Sequence, residues 1–115
     1  MKNSITFHGM PVVNGFIRSE CVVLDSSDCF MNCERVAGKI VIIRIASPAI
    51  VIWLRNAAGL VVEKGGITSH GAIIARELNI PSIVGVDNIY DNKFNGCLAE
   101  LDSKNGTMEI CYEES

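Results

Sequence analysis

Residues 65–81 read GGITSHGAIIARELNIP, and the rest of the chain is arranged to deliver them. From Gly71, the residues Gly71, Ile74, Ala75 and Leu78 fall at i, i+3, i+4 and i+7, one face of a helix with about 3.6 residues per turn. Thr68 or Ser69 can serve as N-cap, its oxygen accepting from an orphan backbone N–H. Asn79 can take the left-handed conformation that ends the helix before Pro81. His70 therefore stands at a helix start. Such a terminus leaves backbone N–H groups unpaired and carries the positive end of the helix dipole, so it favours an anion. Gly65 and Gly66 let the backbone turn sharply and let another group approach closely. Neutral imidazole is a nucleophile, and histidine populates that form near neutral pH. A phosphoryl group on His70 would lie within reach of the free N–H groups and of the Thr68 and Ser69 hydroxyls. Residue types alone leave a second reading open, that of a surface or capping histidine.

The flanking segments supply a frame for this loop. KIVIIRIA (39–46) is continuous, β-branched and bounded by turn residues, as expected of a central strand buried on both sides. Ser47 and Pro48 then open a short helix with Ile50, Trp53 and Leu54 at helical spacing, and Gly59–Glu63 forms a second buried strand. Strand, helix, strand, glycine loop, helix and strand in that order imply parallel pairing. His70 then lies just past the carboxyl end of a strand, where open α/β sheets bind ligands. Ser82–Val86 is the next strand, residues 87–96 a polar excursion, and Cys97–Leu101 with Thr107–Cys111 a hairpin around DSKNG. Near the start, Ser4–Phe7 and Cys21–Leu24 read as strands punctuated by Gly9, Pro11 and Gly15. His8 falls in the turn between them, without a partner that would give it a role. Residues 25–34 read as a loop or short helical turn.

Composition narrows the function classes. A chain of 115 residues suits one domain, residues 1–115, and 49% hydrophobic with 20% charged residues fits a compact fold. A net charge of −3 with no basic run gives no footprint for nucleic acid or an anionic membrane. The start lacks a secretory pattern and the apolar runs are too short to span a bilayer, so a cytoplasmic location is expected. Five cysteines, Cys21, Cys29, Cys33, Cys97 and Cys111, form no CxxC pair; they read as small hydrophobes rather than metal ligands.

The longer string GGITSHGAIIARELNIPSIVG (65–85) resembles the phosphohistidine signature of the phosphoenolpyruvate-utilising enzymes. That family includes phosphoenolpyruvate synthase, pyruvate phosphate dikinase, enzyme I of the sugar phosphotransferase system and rifampin phosphotransferase. The resemblance implies an α/β fold, a swivelling β/β/α domain with a central, largely parallel sheet, short helices and flanking β-hairpins. It implies that His70 carries a phosphoryl group and that Gly65, Gly66, Thr68, Ser69 and Gly71 hold it. Thr68 matches a threonine that is regulated by phosphorylation in several dikinases. Arg76, about 240° around the helix from His70, has a supporting place. No cofactor or metal is expected on this domain itself. Magnesium with ATP, or phosphoenolpyruvate, is implied at partners: an ATP-grasp nucleotide-binding domain, a phosphoenolpyruvate-binding barrel, or both, on separate chains. Where many relatives carry an acidic residue ahead of the preceding helix, this chain has Ile45, Ala46, Ser47 and Pro48, and Ile50–Leu54 is unusually apolar. Two other readings stand beside the carrier. One is a non-catalytic binding or regulatory module that keeps the swivelling fold; the other is a swivelling subunit of a dehydratase-type enzyme, against which the intact GGxTSH speaks.

Overall fold

The computed structural model describes residues 2–25, 35–47 and 54–113. Among the described residues eight strands follow in chain order: β1 (Lys2–His8), β2 (Met10–Val13), β3 (Phe16–Val23), β4 (Ile40–Ile43), β5 (Gly59–Val62), β6 (Ser82–Val84), β7 (Leu98–Asp102) and β8 (Thr107–Glu113). Helix α1 (His70–Leu78) lies between β5 and β6. The expected helix after Ser47, with Trp53, falls mostly outside the described residues. So does most of the stretch 25–34, including Cys29 and Cys33.

Successive side chains of a strand point to opposite faces, so a strand that is apolar throughout must be covered twice. In β4 all four residues are buried: Ile40 and Ile42 enter one apolar cluster, Val41 and Ile43 another. Val61 and Ile83 join the first cluster, while Leu60, Val62 and Val84 join the second. The first cluster also takes Phe7, Ala99, Leu101, Met108 and Ile110 from β1, β7 and β8; the second takes Ala72, Ile74 and Ala75 from α1. The molecule is thus layered as antiparallel strands, parallel strands and helix. Each fully buried valine, leucine or isoleucine contributes roughly 1.5–3 kcal/mol to holding those layers together.

Strand β3 joins the two strand layers. Its first part, Phe16–Glu20, pairs antiparallel with β7, and its last part, Cys21–Val23, pairs parallel with β4. From β3 to β6 the pairing is parallel throughout; every other pairing is antiparallel. The strand order is β1-β8-β7-β3-β4-β5-β6-β2, which puts β1 and β2 at opposite ends although only Gly9 separates them in sequence. The sheet must curl until its two edges meet. At the seam the Gly9 N–H donates to the Gly106 carbonyl at 2.9 Å. Gly106 has φ +71°, and a Cβ there would collide with the Gly9 carbonyl oxygen. A Cβ on Gly9 would stand 2.5 Å from Val86 Cγ2 and 2.8 Å from the Val84 oxygen.

The structure redraws several expected boundaries. Pro11 marks a turn in the sequence reading, yet it sits inside β2; this is an edge strand, where a missing N–H is tolerated, and the register shifts between Pro11 and Val13. His8 closes β1 opposite Thr107 rather than occupying a turn. β3 begins at Phe16, well before Cys21, because its half-exposed first part is stabilised by pairing with β7. Only Ile40–Ile43 of 39–46 is strand. The polar excursion 87–96 contains a short 3-10 turn (Asn92–Phe94) and buries Ile89 and Phe94. The Phe94 ring meets Phe7 and Tyr112 edge-on, with centroids 5.6 Å and 6.0 Å away.

The seam makes a comparison of two glycines informative. Gly38 has φ +70° with open space around it, so alanine there should cost only the left-handed backbone penalty, about 1–2 kcal/mol. Gly106→Ala should cost about 1–3 kcal/mol more, because overpacking is added. Urea midpoints at constant m-value measure both, and equal losses would show that the edges do not meet at Gly106. Cys21 gives a second test. Burial, with a smaller contribution from Cys97, pushes its thiol from 9.0 up to about 12. Between those values the folded chain holds a proton that the unfolded chain has lost, so stability falls as pH rises. The slope should approach about 1.4 kcal/mol per pH unit relative to Cys21→Ala, read from unfolding curves between pH 9 and 11.

Candidate functional site

All four parallel strands end at one edge of the sheet, and the loop from β5 to α1 runs along it. The loop is held by short internal bonds. Ser69 is the N-cap, at φ −70° and ψ 165°; its Oγ accepts from the Ala72 N–H at 3.4 Å and donates to the Gly66 carbonyl at 2.6 Å. The Ser69 N–H reaches the same carbonyl at 3.0 Å. Arg76 Nη2 donates to the Ile67 carbonyl at 2.7 Å. Gly65 sits at φ +114°, and a Cβ on it would come within 2.9 Å of Ser69 Cβ. The turn therefore needs glycine on both conformational and steric grounds.

His70 is the first residue of α1 and is exposed. The next residue, Gly71, is buried, and a Cβ on it would lie 3.0 Å from Val62 Cγ2 and 3.3 Å from Ala46 Cβ. Glycine here lets the helix start press against the end of β5 while His70 points away from that contact. The first-turn N–H groups of His70 and Gly71 have no carbonyl partner within the helix, which is the general condition of a helix N-terminus. Thr68 is exposed beside them. Ile67 and Ile73, three residues either side of His70, are 50% and 43% exposed. At its other end the helix closes on Asn79, at φ 54° and ψ 47°, as the sequence predicts.

Two further charged residues lie at this edge. Arg44 leaves β4 and Glu63 leaves β5; Arg44 Nε stands 3.8 Å from Glu63 Oε1, and Glu63 Oε2 accepts the Tyr90 backbone N–H at 2.9 Å. A cavity of about 460 Å³ opens beside them, lined by Leu24, Ile43, Arg44, Ile45, Ser47 and Tyr90 among others. Among the described residues no group of three or more His, Cys, Asp or Glu side chains is placed to hold a metal ion. No described helix is long and apolar enough to cross a membrane.

The profile of the family described as "PEP-utilising enzyme, mobile domain" matches residues 36–106, which include the whole loop and α1. The chain belongs to that family. Among curated relatives of this mobile domain, phosphoenolpyruvate synthase of Aeropyrum pernix is 32% identical over 108 residues, covering 93% of this chain and 13% of the synthase. The chain thus spans about an eighth of that relative's length. A solution structure of Enzyme I aligns with a TM-score of 0.55 and 32% identity over 64% of this chain and 31% of that one. Aconitase X of Thermococcus kodakaraensis aligns with a TM-score of 0.69 over 92% of this chain and 98% of that one; at 20% identity this shows a shared fold.

For a mobile domain of this family the sequence names His70, Gly65, Gly66, Thr68, Ser69 and Gly71, and the structure gathers them in one loop and helix start. Ser69 among them, and Arg76 further along the helix, have specific structural tasks. Ser69 commits its single hydroxyl proton to Gly66, so it acts as cap and loop tie in this arrangement. Arg76 is joined to the loop through the Ile67 carbonyl. Sequence spacing does not single out Glu63 and Arg44; the one local signal is a charged residue directly after β4 and directly after β5. Removing the cap by Ser69→Ala should cost about 1 kcal/mol in urea unfolding, with much of it recovered in Ser69→Thr. Equal losses in the two variants would show that the hydroxyl does not cap α1.

Proposed function

We propose that this chain is a phosphoryl carrier in which His70 is transiently phosphorylated. The observation that carries the reading is the exposed imidazole at the first position of α1, at the carboxyl edge of the parallel strands, beside first-turn N–H groups and the Thr68 hydroxyl. In the first step a neutral ring nitrogen of His70 attacks phosphorus. An N–P bond forms, the P–O bond to the leaving group breaks, and that oxygen departs with the electron pair. The second step reverses the polarity: the acceptor oxygen attacks, the N–P bond breaks and the ring nitrogen recovers its pair. The backbone N–H groups of His70 and Gly71, the loop at Gly65 and Gly66, and Thr68 surround the phosphoryl oxygens, where donors stabilise the charge.

Family membership supports this chemistry. The donor site belongs to partner domains: an ATP-grasp domain using ATP and magnesium, a phosphoenolpyruvate-binding barrel, or both. Ile67 and Ile73 flank the imidazole as apolar surface that a partner's site would bury. Thr68, exposed in the same loop, is accessible to a regulatory kinase.

The test is to incubate the protein with labelled phosphoenolpyruvate, or ATP labelled at the β-phosphate, plus candidate donor partners. Acid-labile, base-stable label on the wild type, absent from His70→Ala, is the expected result. Absence of label with every partner would leave the non-catalytic module as the reading.

A further inference from the structure

Three segments leave the carboxyl ends of β4, β5 and β6 at the edge of the sheet from which the loop to His70 departs, and one side chain links all three. Glu63, itself the first residue after β5, pairs through Oε1 with Arg44, the first residue after β4, at 3.8 Å. Through Oε2 it accepts the backbone N–H of Tyr90, beyond β6, at 2.9 Å. Its side chain is only 11% exposed, whereas that of Arg44 is 64% exposed. A carboxylate so nearly removed from water needs partners: Oε2 holds a hydrogen bond at 2.9 Å, and Oε1 faces the Arg44 guanidinium at ion-pair distance. The backbone reinforces the arrangement: the Glu63 and Lys64 N–H groups donate to the Ile43 and Arg44 carbonyls, each at 2.9 Å.

From this tie the loop has two residues to run before Gly66, whose carbonyl holds Ser69. Its end is bound at Ser69 and Arg76; among the described residues its start is held by Glu63 and this short backbone ladder. We propose that Glu63 is a positioning residue for the His70 site: it fixes where the loop leaves the sheet, and so the height and angle at which the helix start presents the imidazole. Glu63 acts through the loop and touches neither the phosphoryl group nor the imidazole. Small misplacements of a reacting group cost large factors in rate, so the tie should be visible in the transfer step. The kinetic arm of the claim rests on the phosphoryl-carrier reading; the structural arm does not.

Two variants separate the contributions. Glu63→Gln keeps an acceptor for Tyr90 but loses the charge opposite Arg44; Glu63→Ala loses both. Amide hydrogen exchange on the full chain, with no donor present, should rise about tenfold at Gly65–His70 in Glu63→Ala and less in Glu63→Gln, with β4 and β5 unchanged. With a phosphoryl donor and partner, the turnover rate should fall at least tenfold in Glu63→Ala and about threefold in Glu63→Gln, with KM for the donor within twofold, at a temperature where all three proteins are folded. Unchanged loop exchange in a folded Glu63→Ala, or transfer at the wild-type rate, would overturn the proposal. If the wild type takes no label, the carrier reading fails by itself and loop exchange still decides the role of Glu63.

Discussion

One residue of chain, Gly9, joins two strands that occupy opposite ends of an eight-stranded order. No flat sheet satisfies that connection. The strands must coil until the β1 and β2 edges converge, and the convergence is close enough that Gly9 and Gly106 contact each other through bare backbone. Closure lays the antiparallel strands over one face of the parallel ones. This covers the inward side chains of β4, β5 and β6, so residues such as Ile42, Val61 and Ile83 are fully buried. Helix α1 covers the other face. The wholly apolar strands of the sequence are thus a requirement of the closure, since each has a layer on either side.

The same arrangement decides where chemistry can occur. Parallel pairing aligns the carboxyl ends of β3 to β6 at one edge, and the chain leaving them has little freedom there. At Gly71 there is little room for a Cβ beside Val62 and Ala46, Glu63 pairs with Arg44 after β4 and accepts from the Tyr90 backbone, and Arg76 reaches back to Ile67. An exposed side chain is held in place only if the backbone beneath it is buried. His70 satisfies that condition, being exposed on a helix whose next two residues, Gly71 and Ala72, are buried.

How far the sequence revealed this depended on whether the deciding contacts were local. The face of α1, its cap and its left-handed end lie within a dozen residues and were legible from spacing and residue type. So were the doubly buried strands and the loop that carries His70. What escaped was non-local. β2 holds a proline and would not be stable alone; its pairing with β6 makes it a strand. The first part of β3 is half exposed and depends on β7. Ile89 and Phe94 sit in a polar segment, and only the packing of Phe94 against Phe7 and Tyr112 shows that it belongs to the core. The tie among Arg44, Glu63 and Tyr90 links residues far apart in sequence, and no spacing rule brings them together.

The polar atoms of the loop are divided between carbonyls bonded inside the fold and the N–H groups of the first helical turn. A backbone carbonyl facing a phosphoryl group would repel it as strongly as an N–H attracts it. The carbonyl of Gly66 is occupied twice by Ser69, and that of Ile67 is occupied by Arg76. Two acceptors of the loop are thereby engaged inside the fold. The first-turn N–H groups are left to set the local field, together with the dipole of α1 behind them. Ser69 illustrates the economy of this layout. Its Oγ both holds the Gly66 carbonyl and caps α1, so one hydroxyl fixes the loop and the helix start together.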